Sequence, residues 1–218
     1  MSQLLLKFPF KKKYFEQDFY VSSNNFSAYK LIESWPNWPG KWLNIFGAHG
    51  SGKTHLSNIL AKKIEKIKIL EEEKIDNDLV EILHKFDCLI IDNFKNTIQE
   101  ELFYTILNQS KQLDNFLVIN SKNSIRSNNY NLKDLKSRIN SFVHIGIQPP
   151  TDDLLSVIIS KYFSEKQINL DPKISEYIIK NVDRSYEKMF KFIKDLDHLS
   201  LSSGKSININ LIKKVLNK

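Results

Sequence analysis

The segment GAHGSGKT, from Gly47 to Thr54, constrains the fold of this chain more than any other part of the sequence. It fits the pattern G-x-x-x-x-G-K-[ST], follows the apolar run WLNIFG that begins at Trp42, and precedes a helix-like stretch from Lys53 to about Ile67. A strand, a glycine-rich loop and a helix in this order bind phosphate, because the loop and the helix N-terminus direct backbone N–H groups at the anion. This context favours a phosphate loop over a glycine-rich turn that binds nothing.

The mechanism of such a loop predicts which residues bind nucleotide and metal. Lys53 is expected to reach the β- and γ-phosphates, and Thr54 to offer its hydroxyl to Mg²⁺. Asp92, at the end of the apolar run CLIID, is suited to hold the same ion through water. We therefore expect ADP or ATP with Mg²⁺. The residues expected to bind the nucleotide are Gly47, Ala48, His49, Gly50, Ser51, Gly52, Lys53 and Thr54.

The residue that follows Asp92 bears on hydrolysis. Many ATPases with this loop carry a carboxylate there that activates the attacking water, whereas this chain has Asn93. An amide can orient water but cannot accept its proton. We expect slow intrinsic ATP hydrolysis, and the sequence leaves open whether the chain hydrolyses ATP at all.

Short apolar runs recur along the first part of the chain, with room for a helix between them. After the run at Trp42 they occur at Lys68–Leu70, Cys88–Asp92, Phe116–Asn120 and Phe142–Ile147. Alternation of strands and helices on this scale predicts an α/β fold, with a parallel sheet covered by helices on both faces. One of these helices is expected to begin with a capping box at 97–100.

After Gln148 the pattern changes to helical spacing alone. Thr151 is placed to cap a helix with acidic residues in its first turn, and further helices are expected around 174–182 and 186–201. The sequence therefore predicts a small all-helical lid. The predicted boundaries are 1–13 for an N-terminal peptide and basic linker, 14–150 for the α/β nucleotide-binding domain and 151–218 for the lid.

Charge and cysteine content limit which kinds of function are compatible with the sequence. The net charge of +7 and the pI near 9.2 are compatible with nucleic-acid binding. The lysines are spread along the whole chain rather than clustered, so we expect DNA contact to be weak or indirect. Cys88 is the only cysteine, which excludes an intramolecular disulfide and favours a reducing cytoplasm. No apolar run reaches the length of a bilayer crossing, so no membrane partner is expected.

Arginine is rare in this lysine-rich chain, which contains only Arg126, Arg138 and Arg184. Where lysine is accepted so widely, a retained arginine indicates a site that needs a planar, bidentate group. Arg138, in LKSRINSF before the last strand, is expected to contact phosphate in its own chain or in a neighbour. Arg184 either reaches back toward the nucleotide or is an exposed residue at the start of a lid helix.

The chain opens with QLLLKF, from Gln3 to Phe8, and a run of three lysines follows shortly after. The positive charge comes after the apolar residues, which is the wrong order for a secretory signal. The segment is either an edge strand packed on the core or a short linear motif whose apolar residues bind a partner. The residues alone leave both interpretations open.

In the order of its motifs the chain resembles the DnaA-related AAA+ ATPases. The resemblance rests on the phosphate loop, CLIIDN, LKSRI, QPP and a helical lid, and it covers nearly the whole chain. DFYVSSNNFSAYKLI resembles that family's stretch around the adenine, and His55 follows the loop as in the family. DnaA itself carries a further helix-turn-helix domain after the lid, where this sequence stops, so sequence-specific duplex binding is not expected.

The segment WPNWPG is similar to the Hda-type regulators of this family, which begin with a clamp-binding peptide of the form Q-L-x-L-x-F. Gln3, Leu4, Leu6 and Phe8 match that form. The resemblance therefore implies that residues 3–8 bind the DNA polymerase sliding clamp.

The same resemblance implies a mechanism in trans. An ADP-bound regulator, tethered to DNA by the clamp, would present Arg138 as an arginine finger to ATP on DnaA, stimulate hydrolysis and so switch initiation off. The resemblance also implies that Arg184 is the second sensor, although it lies about one helical turn before the position of that residue in the family. No first sensor is assigned among Asn120, Ser121 and Lys122.

Three other functions stay open beside this regulator of replication initiation. A DnaA-like or helicase-loader ATPase would assemble on single-stranded DNA. A small-molecule kinase would need several arginines to clamp two phosphorylated substrates, and three in the whole chain are few. A binding module would hold ADP only as a structural ligand. A homo-oligomer is possible in each case.

Overall fold

Five parallel strands form one sheet in the first part of the chain. In chain order the strands are β1 (Trp42–Phe46), β2 (Ile67–Glu71), β3 (Cys88–Phe94), β4 (Phe116–Ser121) and β5 (Val143–Gly146). Their order across the sheet is β2-β3-β4-β1-β5, and every neighbouring pair is parallel. This computed structural model describes residues 15–217, in which one compact unit ends at Gln148 and a second begins at Pro149.

Five α-helices belong to the α/β unit in the part of the chain that the structure describes, one before β1 and one between each pair of successive strands. They are α1 (Phe26–Glu33), α2 (Lys53–Ala61), α3 (Asn77–Ile82), α4 (Glu100–Gln112) and α5 (Lys133–Asn140). Helix α2 ends at Ala61, earlier than the sequence suggested, because strand β2 already begins at Ile67.

Side chains alternate between the two faces of the sheet and build a separate apolar core on each face. On β3, Leu89 and Ile91 join the core that contains α3, α4 and α5, whereas Cys88 and Ile90 join the core that contains α1 and α2. The central strands β1, β3 and β4 are buried on both faces, as is usual in a parallel sheet. The predicted α/β fold with helices on both faces is confirmed.

The prediction of a capping box at the start of α4 is wrong. The helix begins at Glu100 after Gln99, whose side chain makes no capping hydrogen bond. The Glu100 carboxylate instead accepts hydrogen bonds from the backbone N–H groups of Asn131 and Leu132, at 3.0 and 2.8 Å. It therefore ties the loop before α5 to the start of α4, a long-range contact that competes with the local cap.

A buried carboxylate organises the loop that follows β3. Glu72 is only 4% exposed and accepts backbone N–H hydrogen bonds from Lys95, from Thr97 at 2.5 Å and from Ile98 at 2.8 Å. Buried backbone donors of a loop need such partners, since the loop has no ladder to supply them. Glu72 thus fixes the segment between the end of β3 and the start of α4.

The second unit consists of helices in the part of the chain that the structure describes. These are α6 (Asp152–Ser164), α7 (Pro172–Asn181), α8 (Tyr186–Ser203) and α9 (Ile209–Leu216), around a core of their own. Thr151 caps α6 as predicted, since its hydroxyl accepts the Leu154 N–H hydrogen bond at 3.3 Å. Helix α9 was not expected. Between residues 15 and 217, no helix combines the length and apolar character that a bilayer crossing needs.

We predict that Glu72→Ala lowers the free energy of unfolding by about 2–5 kcal/mol, because it removes the buried acceptor of three backbone hydrogen bonds and a hydrogen bond to a charged group contributes ~1.5–3 kcal/mol. Urea unfolding followed by tryptophan fluorescence measures this loss in the α/β unit, which holds all three tryptophans. Glu73→Ala is the matched control, because the neighbouring Glu73 is exposed and pairs only with the Lys95 ammonium among the described residues. Equal unfolding midpoints for the two variants would contradict the role given to Glu72.

Candidate functional site

Two glycines let the loop after β1 turn tightly into α2. A Cβ atom on Gly47 would lie 2.9 Å from the Ile147 carbonyl oxygen, so the backbone approach there excludes a side chain. Gly52 caps α2 with φ +101°, and a Cβ atom on it would lie 2.9 Å from the Phe19 ring. Ala48, His49 and Gly50 at the tip are exposed. The loop therefore presents backbone to solvent just before a helix N-terminus, the arrangement that binds phosphate.

The Lys53 side chain folds over this loop. Its ammonium donates hydrogen bonds to the carbonyl oxygens of Gly47 at 2.7 Å and Ala48 at 2.9 Å. Burial lowers the pKa of Lys53, while the charge of Asp92 acts in the opposite direction. The cation thus lies at the loop, where it would meet the phosphates of a nucleotide.

Thr54 and Asp92 lie together, as the sequence predicted. The Thr54 hydroxyl donates to the Asp92 carboxylate at 2.8 Å. Hydroxyl and carboxylate oxygens suit Mg²⁺, which usually takes one or two protein ligands and completes its shell with phosphate and water. Within residues 15–217, no group of three or more His, Cys, Asp or Glu side chains could hold a metal alone. The pair therefore fits a magnesium ion that arrives with a nucleotide.

Asn120 is a site residue to which the sequence assigned no role. Its side-chain N–H₂ donates to the Ser57 hydroxyl at 2.7 Å and to the Asp92 carboxylate at 2.9 Å, and it is fully buried. Its Oδ1 atom has no hydrogen-bond partner among the described residues. Ser121, also a candidate, binds the Asn123 carbonyl instead, and Lys122 is exposed. The signal that could have identified Asn120 is a polar residue ending a buried strand next to β3.

Asn93 lies beside Asp92 in an unusual backbone conformation. Its φ of +56° is in the left-handed region, which Asn adopts more readily than most residues. It sits where the pairing of β3 with β4 shifts register, between Ile91 and Phe94, and its side chain is exposed. Its N–H donates to the Asp92 carboxylate at 3.0 Å. The Asn93 backbone therefore lies beside Asp92, and an effect of its side-chain amide on the attacking water stays a prediction.

Aromatic side chains line the other side of the loop. The Phe19 ring stacks on Tyr29 with centroids 5.8 Å apart and meets His55 edge-on at 5.2 Å. Phe19 also packs against Gly52. The stretch 18–32 thus brings apolar surface to the phosphate loop, and its contact with the adenine stays a prediction.

Arg138 lies at the opposite edge of the sheet from the phosphate loop. It is in the last turn of α5, where its Nε atom donates to Asn108 on α4 at 3.0 Å. It borders a cleft with Trp42, the first residue of β1, whereas Gly47 follows the last residue of that strand. At ~3.3 Å per residue the strand separates the two ends by roughly 16 Å. A nucleotide that Arg138 contacts is therefore not the one at its own phosphate loop.

The remaining arginines make local contacts. Arg184 precedes Ser185, the N-cap of α8, and forms an exposed ion pair with Asp152 at 2.8 Å within the helical unit. Its role as a second sensor stays a prediction. Arg126 donates to the Asn140 carbonyl at 3.4 Å. The predicted clamp-binding residues Gln3, Leu4, Leu6 and Phe8 lie outside the described residues.

We predict that intrinsic ATP turnover is slow and that Asn93→Asp raises it, up to the ~10²–10⁴-fold that a general base contributes. Asp is nearly the same size and also tolerates a left-handed backbone. Single-turnover hydrolysis of bound ATP measures the effect. Asn96→Asp is the matched control, since Asn96 also has a positive φ, of +63°. Fast turnover of the wild type would contradict the interpretation, as would equal rates for both variants.

Comparisons with known proteins agree with this architecture. Residues 156–216 match the model of the Hda lid domain. The DnaA chromosomal replication initiator of Borreliella burgdorferi strain B31 is 29% identical over 96% of this chain and 49% of its own length. The DnaA of Buchnera aphidicola from Cinara cedri is 26% identical over 99% of this chain and 55% of its own length. The chain therefore spans about half the length of the curated relatives that it matches.

Two solved structures share the fold. Domain III of Thermotoga maritima DnaA aligns with a TM-score of 0.76 at 22% identity, covering 96% of this chain and 98% of that one. A DnaA bound to AMPPCP and single-stranded DNA aligns with a TM-score of 0.68 at 19% identity, covering 86% and 65%. These structures show the fold. The lid-domain match and the DnaA relatives make the chain similar to DnaA-related AAA+ proteins, with a lid region similar to that of Hda.

Proposed function

We propose that this chain regulates the initiation of chromosome replication. In this proposal it binds ADP or ATP, is tethered to DNA in the cytoplasm by the sliding clamp, and stimulates hydrolysis of ATP bound to DnaA through Arg138. The observation that carries the proposal is the position of Arg138 at the edge of the sheet away from its own phosphate loop. An arginine placed there acts on a second protein's nucleotide.

The phosphate loop is the nucleotide site in this proposal. Backbone N–H groups of Gly50 to Lys53 and the N-terminus of α2 would hold the phosphates, with the Lys53 ammonium beside them. Thr54 and Asp92 would hold Mg²⁺, which neutralises phosphate charge when it is bound. Support comes from the Thr54–Asp92 hydrogen bond and from the AMPPCP bound by DnaA structures of the same fold.

The chain's own hydrolysis is secondary in this proposal. Asn93 can orient a water molecule but cannot take its proton. Asn120 holds Asp92 on the side of α2, so the carboxylate has fewer free lone pairs for other partners. A protein that keeps ADP bound, rather than cycling, needs no efficient base at this position.

The surroundings of Arg138 suit an arginine finger. Leu135 and Ile139 on the same helix are buried in the core, which fixes the helix axis. Asn108 binds the Nε atom, and both terminal nitrogens have no hydrogen-bond partner among the described residues. A planar guanidinium with two free N–H₂ groups can bind two oxygens of a transferring phosphate, a contact worth ~10³–10⁵ in rate.

We predict that the wild-type chain on clamp-loaded DNA accelerates the conversion of DnaA-bound ATP to ADP, and that Arg138→Ala removes this acceleration. Arg138→Lys should also lose most of it, because an ammonium lacks the planar fork. Release of labelled phosphate from DnaA preloaded with ATP measures the rate. Arg126→Ala is the matched control, since Arg126 is an exposed arginine of the same unit.

Measuring the affinity for ADP distinguishes loss of the arginine finger from damage to the phosphate loop. Arg138→Ala should bind ADP as tightly as the wild type, because the two sites lie at opposite edges of the sheet. Full stimulation by Arg138→Ala would refute the finger, and weaker ADP binding by this variant would place it near its own nucleotide.

We predict that the sliding clamp of the same organism binds this chain with a Kd in the micromolar range, and that a Gln3→Ala, Phe8→Ala double variant binds at least ~30-fold more weakly. Anchor side chains of such motifs often contribute this much. Titration calorimetry measures both. A Lys11→Ala, Lys13→Ala double variant from the same segment tests whether charge alone is responsible. Equal affinities of the wild type and the Gln3→Ala, Phe8→Ala variant would contradict a docking peptide.

A second candidate function is an ATPase that assembles on single-stranded DNA. It is favoured by one observation, that a DnaA of the same fold is described bound to single-stranded DNA. Fluorescence anisotropy of a labelled oligonucleotide distinguishes the two functions. ATP-dependent, cooperative binding would support the second candidate over the regulator, and weak binding that ignores the nucleotide would support the regulator.

A further inference from the structure

Arg138 does not stand alone at its edge of the sheet. It borders a cleft of about 380 Å³ between the amino ends of β1 and β4 and the carboxyl ends of α4 and α5. Lys41, Ser110, Lys111 and Ser137 also line this cleft. Every one of these side chains can donate a hydrogen bond, and three of the five carry a positive charge.

The charges in the cleft are not balanced. Lys41 forms an ion pair with Asp114 and also donates to the Asp114 carbonyl at 3.0 Å. Lys111 and the terminal nitrogens of Arg138 have no partner among residues 15–217. The carboxyl ends of α4 and α5 each contribute about half a negative charge. Two unpaired cations against roughly one negative charge leave the cleft positive by about one charge.

The wall of the cleft contains a buried hydroxyl. Ser110 is 0% exposed and its Oγ atom has no hydrogen-bond partner among the described residues. A buried polar atom without a partner is costly, and such atoms in folded proteins call for a specific explanation. Because the Ser110 Oγ atom is closed to solvent, an anion in the cleft cannot reach it, and the cationic side chains are the groups available to a ligand.

We propose that this cleft is a second phosphate-binding site, in which Lys111 acts beside Arg138 on the terminal phosphates of a nucleotide held by another protein. The proposal rests on the proposed function for the identity of that protein, but the phosphate chemistry rests on the cleft alone. A planar guanidinium, a flexible ammonium and hydroxyl donors together match a tetrahedral group with several acceptor oxygens better than a single carboxylate.

The first experiment tests the cleft without any partner protein. The full chain is saturated with Mg²⁺ and ADP to occupy the phosphate loop, and sodium tripolyphosphate is titrated by calorimetry. We expect saturable binding, about tenfold or more weaker in Lys111→Gln, because a lost charge-assisted hydrogen bond costs at least that factor. Lys136→Gln is the matched control, since Lys136 is exposed on α5 but does not line the cleft. Absence of saturable binding would overturn the proposal, as would equal binding by the wild type and Lys111→Gln.

The second experiment distinguishes a free phosphate ligand from a partner's nucleotide. Stimulated hydrolysis of DnaA-bound ATP is compared for the wild type, Lys111→Gln and Lys136→Gln. A lower maximal rate in Lys111→Gln alone supports contact with the partner's nucleotide, and an unchanged rate overturns that assignment. If the wild type gives no stimulation, the proposed function fails, while the tripolyphosphate titration still decides whether the cleft binds phosphate.

Discussion

The parallel direction of the five strands determines where chemistry can occur in this molecule. Parallel strands bring all their carboxyl ends to one edge of the sheet and all their amino ends to the other. The phosphate loop, Asp92 and Asn120 follow or end three neighbouring strands, so they meet at the first edge. Arg138 and its cleft lie at the second edge. The distance between the two sites follows from strand length alone.

The alternation of side chains along each strand completes the first site. Asp92 and Asn120 point to the face covered by α2, and that helix supplies Thr54 and Ser57 to them. The Asp92 carboxylate accepts hydrogen bonds from Thr54, Asn120 and the N–H of Asn93. A carboxylate held by three donors keeps its orientation, so a site built in this way is preorganised for the ion that a nucleotide brings.

The distance between the phosphate loop and Arg138 also fits the proposed function. A protein that holds one nucleotide and acts on another must keep the two phosphate groups apart, and a sheet between them does this without a further domain. Two carboxylates stabilise the loops on which both sites depend. Glu72 fixes the loop after β3, and Glu100 fixes the segment that leads into the helix of Arg138.

The sequence by itself determined the α/β fold with its helical second part, the phosphate loop and the pairing of Thr54 with Asp92. The fold and the phosphate loop are set by local patterns of apolar spacing and by a motif whose residues are adjacent along the chain. Thr54 and Asp92 are 38 positions apart, but each belongs to a recognisable motif at the carboxyl end of a parallel strand, which brings them together. Only the tertiary structure decided that Asn120 binds Asp92, that Glu100 ties a distant loop instead of capping its own helix, and that Arg138 lies away from its own phosphate loop. Each of these depends on residues at least 28 positions apart. Their contacts arise from strand order and helix packing, which no local pattern encodes.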